Sequence, residues 1–152
     1  MFEKLTSWLK TDTSLPDQTE QRHELAEIVT GLLVEAGLAD GDLGSHEQHL
    51  IAHVIAEQFD VPDADVDQIL DKAISEADER IELHSLTSKL RAETDYEERV
   101  QILELVWIIV LADEVVDAIE SQLMRRLSGL LYISDVDAGH AQKAARARLG
   151  IS

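Results

Sequence analysis

Val100-Gln101-Ile102-Leu103-Glu104-Leu105-Val106-Trp107-Ile108-Ile109-Val110-Leu111 is apolar at nearly every position. A stretch of this kind reads as a helix covered by others on most sides, so it predicts the centre of the core. Its longest unbroken apolar run, Leu105 to Ala112, is eight residues, against roughly 20 needed to cross a bilayer, so no membrane span is expected. The flanking stripes also have helical spacing. Leu25, Ile28, Val29, Leu32, Leu33 and Ala36 form one; Leu50, Ile51, Val54, Ile55 and Phe59 a second. Val66, Ile69, Leu70, Ala73, Ile74 and Ala77 form a third, and Leu123, Met124, Leu127, Leu130 and Leu131 a fourth. No segment sustains period-two alternation, and no Asn-Gly or Asp-Gly turn joins two β-rich runs. The fold class is therefore all-α. Breaks near Thr11–Pro16, Gly37–Gly44, Asp60–Pro62, Thr94–Asp95, Asp113–Asp117 and Ser134–Asp135 divide it into a compact bundle of about seven to eight helices.

The chain has 152 residues, which suits a single core. It divides into an N-terminal amphipathic segment, 1–16, and a helical domain, 17–152. Lys and Arg number 13 against 31 Asp and Glu, a net charge of -18. Such a field repels phosphate backbones, which excludes sequence-general nucleic-acid binding. There is no cysteine, hence no disulfide, thiolate zinc site or cysteine nucleophile. The N-terminus lacks the pattern of a secretory signal, so a cytoplasmic location is expected. Phe2, Leu5, Trp8 and Leu9 make a short apolar stripe beside Lys4 and Lys10. That stripe suits docking on its own domain or a weak contact with a membrane surface. Charge is uneven: residues 35–82 carry a net -12, whereas residues 121–152 carry +3. Solvated helix faces account for this pattern, as does an acidic face that attracts cations or a partner.

Ala39-Asp40-Gly41-Asp42-Leu43-Gly44-Ser45-His46-Glu47-Gln48-His49-Leu50-Ile51 lies without a gap over Ala112-Asp113-Glu114-Val115-Val116-Asp117-Ala118-Ile119-Glu120-Ser121-Gln122-Leu123-Met124, 73 positions on. A one-residue deletion then aligns Phe59-Asp60-Val61 with Leu131-Tyr132-Ile133. The pattern reads as an internal duplication with pseudo-two-fold packing. Ser45 with Gln48, and Asp117 with Glu120, have capping-box spacing. At about 100° per residue, Glu47 and Glu120 each fall inside the apolar arc of their helix, aimed coreward from its N-terminus. A coreward carboxylate must be hydrated, hydrogen-bonded, protonated or paired with a cation. If the halves meet about a two-fold axis, Asp40, Glu47, Asp113 and Glu120 converge, and an all-oxygen set suits calcium, magnesium or manganese. Spacing alone leaves two readings open, a bound divalent cation or helix caps with ion pairs.

The ADGDLGSHEQHLI segment and its repeat ADEVVDAIESQLM resemble the tellurite-resistance TerB-like family, which is related to the N-terminal domain of certain membrane-tethered DnaJ-type co-chaperones. The likeness covers roughly residues 20–148 and includes Leu86–Leu90 before the central helix. It implies an all-helical fold with internal pseudo-symmetry, an acidic candidate metal site, and a role in tellurite or stress response through binding, not catalysis. Asp40, Glu47, Asp113 and Glu120 match the family's turn pattern, while Glu114 stands in place of its usual Gly. The resulting expectation is a non-enzymatic platform for protein partners that holds a divalent cation. The alternative is a metal-free structural adaptor, co-chaperone-like, in which the same carboxylates only cap helices.

Other motifs carry less. His46, His49 and His53 share a stripe facing away from the apolar arc, and HEQH misses HExxH spacing, which excludes a zinc peptidase. Glu47 follows Asp40 too closely for an EF-hand loop.

Overall fold

In the computed structural model, residues 16–38, 43–79, 83–111 and 118–150 are described. They form seven helices: α1 (Pro16–Gly37), α2 (Ser45–Phe59), α3 (Asp63–Glu79), α4 (His84–Glu93), α5 (Tyr96–Val110), α6 (Ala118–Leu130) and α7 (Asp135–Leu149). No strand occurs among the described residues. No helix there is long and apolar enough to cross a membrane. Residues 1–15, which hold the expected amphipathic segment, lie outside the described residues, as does the second acidic turn at 112–117.

Each apolar stripe faces inward because only that face can leave water. Leu25, Val29, Leu32 and Leu33 of α1 join Ile51, Ile55 and Phe59 of α2 and Ile69 of α3 in one core. Ile102, Leu105 and Ile109 of α5 complete it, so the expected central helix is central. Helix α5 packs against α1, α2, α6 and α7. Within the first half, α1, α2 and α3 pack on one another; in the second, α5 packs broadly on α7 and more sparingly on α6.

Boundaries follow local chemistry. Asp95 caps α5 with a reciprocal box: its carboxylate accepts from Glu98 N at 2.9 Å, and Asp95 N donates to Glu98 Oε1 at 2.8 Å. Asp95→Ala should lower the unfolding free energy by about 1 kcal/mol in urea titration, since Glu98 N loses its acceptor while the backbone N–H of residue 95 keeps Glu98 Oε1. The expected Ser45–Gln48 box does not form. Gly44, not Ser45, is the N-cap of α2, and Gln48 Nε2 donates instead to Leu43 O at 3.1 Å. With Ser45 inside the helix, its side chain is past the position that reaches back to the first turn.

Both halves turn a corner in the same way. Asp60 after α2 has φ 54° and Tyr132 after α6 has φ 57°, the two non-glycine residues with positive φ among those described. Each follows a fully buried side chain, Phe59 or Leu131, and precedes a buried one, Val61 or Ile133. Left-handed geometry is costly for a side-chain-bearing residue, and anchoring residues on both sides hold it in place. At the second corner, Arg91 Nη1 donates to Leu130 O at 2.6 Å and Arg99 Nε to Leu131 O at 2.9 Å. Cations are favoured at the carbonyl end of a helix, so these arginines clamp α4 and α5 to the end of α6. The Arg91 guanidinium also stacks 4.3 Å from the centroid of the Tyr132 ring.

Tyr96, which opens α5, ties it to the start of α7. Its hydroxyl donates to Asp137 Oδ2 at 2.6 Å and accepts from Ser134 N at 3.2 Å. The Tyr96 hydrogen bond, assisted by Ser134 and His140, holds the Asp137 carboxyl below its ordinary range against a smaller opposing effect of burial. A depressed carboxylate contributes stability above its unfolded pKa and loses it as pH falls through the folded value. Tyr96→Phe should therefore raise the Asp137 pKa in a carboxyl NMR titration. The stability difference between this variant and wild type should shrink as pH falls through the folded wild-type value.

Candidate functional site

Glu47 enters α2 two residues after its start and is half-buried. Its carboxylate folds back across the exit of the acidic turn. Oε2 lies 3.4 Å from where a Cβ on Gly37 would stand, and Oε1 3.8 Å from the same point on Gly44. The carboxylate thus sits between the end of α1 and the N-cap of α2. Gly37 gives close packing, because Leu43 Cδ1 fills the space that a side chain there would need and would have to shift to admit one. Leu43 is buried, and its carbonyl is held by Gln48. The turn's exit is thereby fixed from three sides, and Glu47 is fixed with it.

Of the four expected ligands, Glu47 is the one whose side chain is described. Asp40 and Asp113 lie outside the described residues, and Glu120 is placed in α6 by its backbone alone. No group of three or more ligating side chains gathers among the described residues. Val110 stands 73 positions after Gly37 and ends α5 as Gly37 ends α1. It carries a side chain where the first half has none, so the two turns do not leave identical surfaces behind them. The histidine stripe is exposed as expected, with His53 Nε2 paired to Glu57 at 2.9 Å.

The central helix holds polar residues whose role its apolar run concealed. Gln101 and Glu104 are buried, and burial raises the Glu104 pKa above the ordinary carboxylate range despite the opposing field of Arg148. Gln101 Oε1, Glu104 Oε2 and Trp107 Nε1 are buried with no hydrogen-bond partner among the described residues. They divide between two cavities on either side of α7. Gln101 and Glu104 line one of about 430 Å³ with Tyr96, Val100 and His140. Trp107 lines the other, of about 560 Å³, with residues of α6 and α7. The available signal was the spacing of Gln101, Glu104 and Trp107, three apart in the otherwise aliphatic stretch Val100–Leu111.

A family model described as tellurite resistance protein TerB matches residues 26–143, a span that holds both acidic turns and the whole central helix. Neither a curated protein nor a solved structure matches the chain.

Proposed function

The chain belongs to the tellurite resistance protein TerB family, and from that premise we propose a non-catalytic, stress-associated protein that binds a divalent cation through its acidic turns and serves as a platform for a protein partner. The observation that carries this reading is the position of Glu47. Its carboxylate is held beside the carbonyl end of α1, at the exit of a turn that contains Asp40 and Asp42. Negative charge is disfavoured at the carbonyl end of α1 and favoured at the first turn of α2, and a hard cation shared with the acidic turn would offset the first effect. Asp40, Glu47, Asp113 and Glu120 are the ligands assigned. An all-oxygen donor set fits calcium, magnesium or manganese and disfavours copper and zinc.

The repeated register supports a second, matched turn. Helix starts at Ser45 and Ala118, and the positive-φ residues Asp60 and Tyr132, recur at the offsets of the aligned sequence. Calorimetric titration of chelator-treated protein with calcium, magnesium, manganese and zinc tests the reading. We expect saturable heat with at least one of the first three and its weakening in Glu47→Gln. Absence of binding at millimolar concentrations of all three overturns the cation and leaves the metal-free adaptor.

A further inference from the structure

The two halves differ where they should be most alike. In the first, α2 packs on α3; in the second, α6 and α7 share almost no contact, and a groove of about 560 Å³ opens between them over α5. The cause is written in the aligned positions. Ile55, Leu70 and Ile74 of the first half correspond to Ser128, Gln142 and Arg146 of the second. Three large apolar side chains that would close the gap are replaced by polar ones that line it. Val34, fully buried on α1, corresponds to Trp107, which lines the groove.

Trp107 is 8% exposed, and its Nε1 has no hydrogen-bond partner among the described residues. An indole nitrogen can only donate, whatever the pH, so the missing group is an acceptor. Leaving a buried donor unmet is unfavourable, and a ligand that meets it recovers that cost. Charge gives the acceptor its sign. Arg125 lines the groove beside Asp135, in the segment that is net positive within a chain of net -18. Arg125 is exposed and makes no ion pair among the described residues.

We propose that this groove docks a short acidic peptide segment of a partner protein, one carboxylate of which accepts the Trp107 indole N–H once the indole shifts to present it, while another faces Arg125. The proposal gives a chemistry to the partner in the reading above; it rests on that interaction role and not on the cation. The local cation Arg125 supplies orientation against the repulsion of the chain's net charge, and the indole contact supplies the buried anchor.

Selection of displayed random peptides on immobilised protein, with chelator present, tests it. Peptides rich in Asp and Glu should be enriched. A selected peptide titrated against the Trp8→Phe protein should change Trp107 emission, and its Asp/Glu→Asn/Gln counterpart should bind at least about tenfold more weakly. Trp107→Phe keeps the ring and removes the donor, and should weaken binding about tenfold. Arg125→Glu, at an exposed position, should weaken it by a similar factor and reduce its salt dependence. Ser128→Ile with Gln142→Leu restores the first half's residues. It should raise the melting temperature while abolishing binding, a pairing that a purely structural role for these residues would not give. No enrichment, enrichment of basic peptides, or binding indifferent to both Trp107→Phe and Arg125→Glu overturns the proposal. Because the peptide experiments run without divalent ions, their failure leaves the calorimetric cation result standing, and the reverse holds as well.

Discussion

Phe59→Ala should lower the unfolding free energy by about 3–5 kcal/mol, the cost of removing a large aromatic side chain and leaving a cavity that neighbours fill only in part. Phe59 is 0% exposed and ends α2, immediately before the left-handed residue Asp60. It joins the same core as α1, α3 and α5. Its loss removes apolar contacts and also loosens the anchor that holds the corner in an uncommon backbone conformation. Leu131→Ala, at the aligned corner, should cost about 2–5 kcal/mol by the same argument. Urea unfolding followed by circular dichroism measures both. A cost below about 1.5 kcal/mol for Phe59→Ala would mean that the α2–α3 corner unfolds apart from the core, contrary to its packing.

The helices were legible because their apolar residues repeat at three and four, and burial of those residues is what holds the bundle together. The central helix was legible for a different reason: Leu105 to Leu111 is too uniformly apolar to have a solvent face. Capping was less legible. Ser45 and Gln48 have the right spacing but the wrong frame, since the helix begins one residue earlier than a Ser45 cap requires. Asp95 and Glu98 have the same spacing in the right frame. Sequence spacing cannot distinguish those two cases, because the frame in which a helix starts depends on tertiary packing as well as on the capping residues. The groove was the least legible feature. Ser128, Gln142 and Arg146 look like ordinary surface residues of amphipathic helices, and their meaning emerges only beside Ile55, Leu70 and Ile74. Trp107 was hidden by being apolar among apolar neighbours, since its one polar atom matters only when nothing reaches it.

Divalent ion present at 100 times its dissociation constant should raise the stability of the wild-type protein by about 2.7 kcal/mol, because an ion that binds only the folded chain draws the equilibrium toward it. The unfolded chain keeps the four carboxylates but not their placement, so it competes weakly for the ion. In the proposed site, Glu47→Gln and Glu120→Gln would each remove a hard anionic ligand while keeping its size, and each should reduce the gain. The double variant should lose it entirely. The single losses should be non-additive, since ligands on one ion share its binding energy, whereas distant and independent caps add within about 0.5 kcal/mol. Replacing His46, His49 and His53 together by Gln should leave the ion-dependent gain nearly unchanged, because these side chains are exposed. Thermal and urea unfolding with and without calcium, magnesium and manganese decide the matter. A wild-type protein whose stability ignores millimolar concentrations of all three ions binds none of them at these turns, and Glu47 is then an element of local structure at the exit of the first turn.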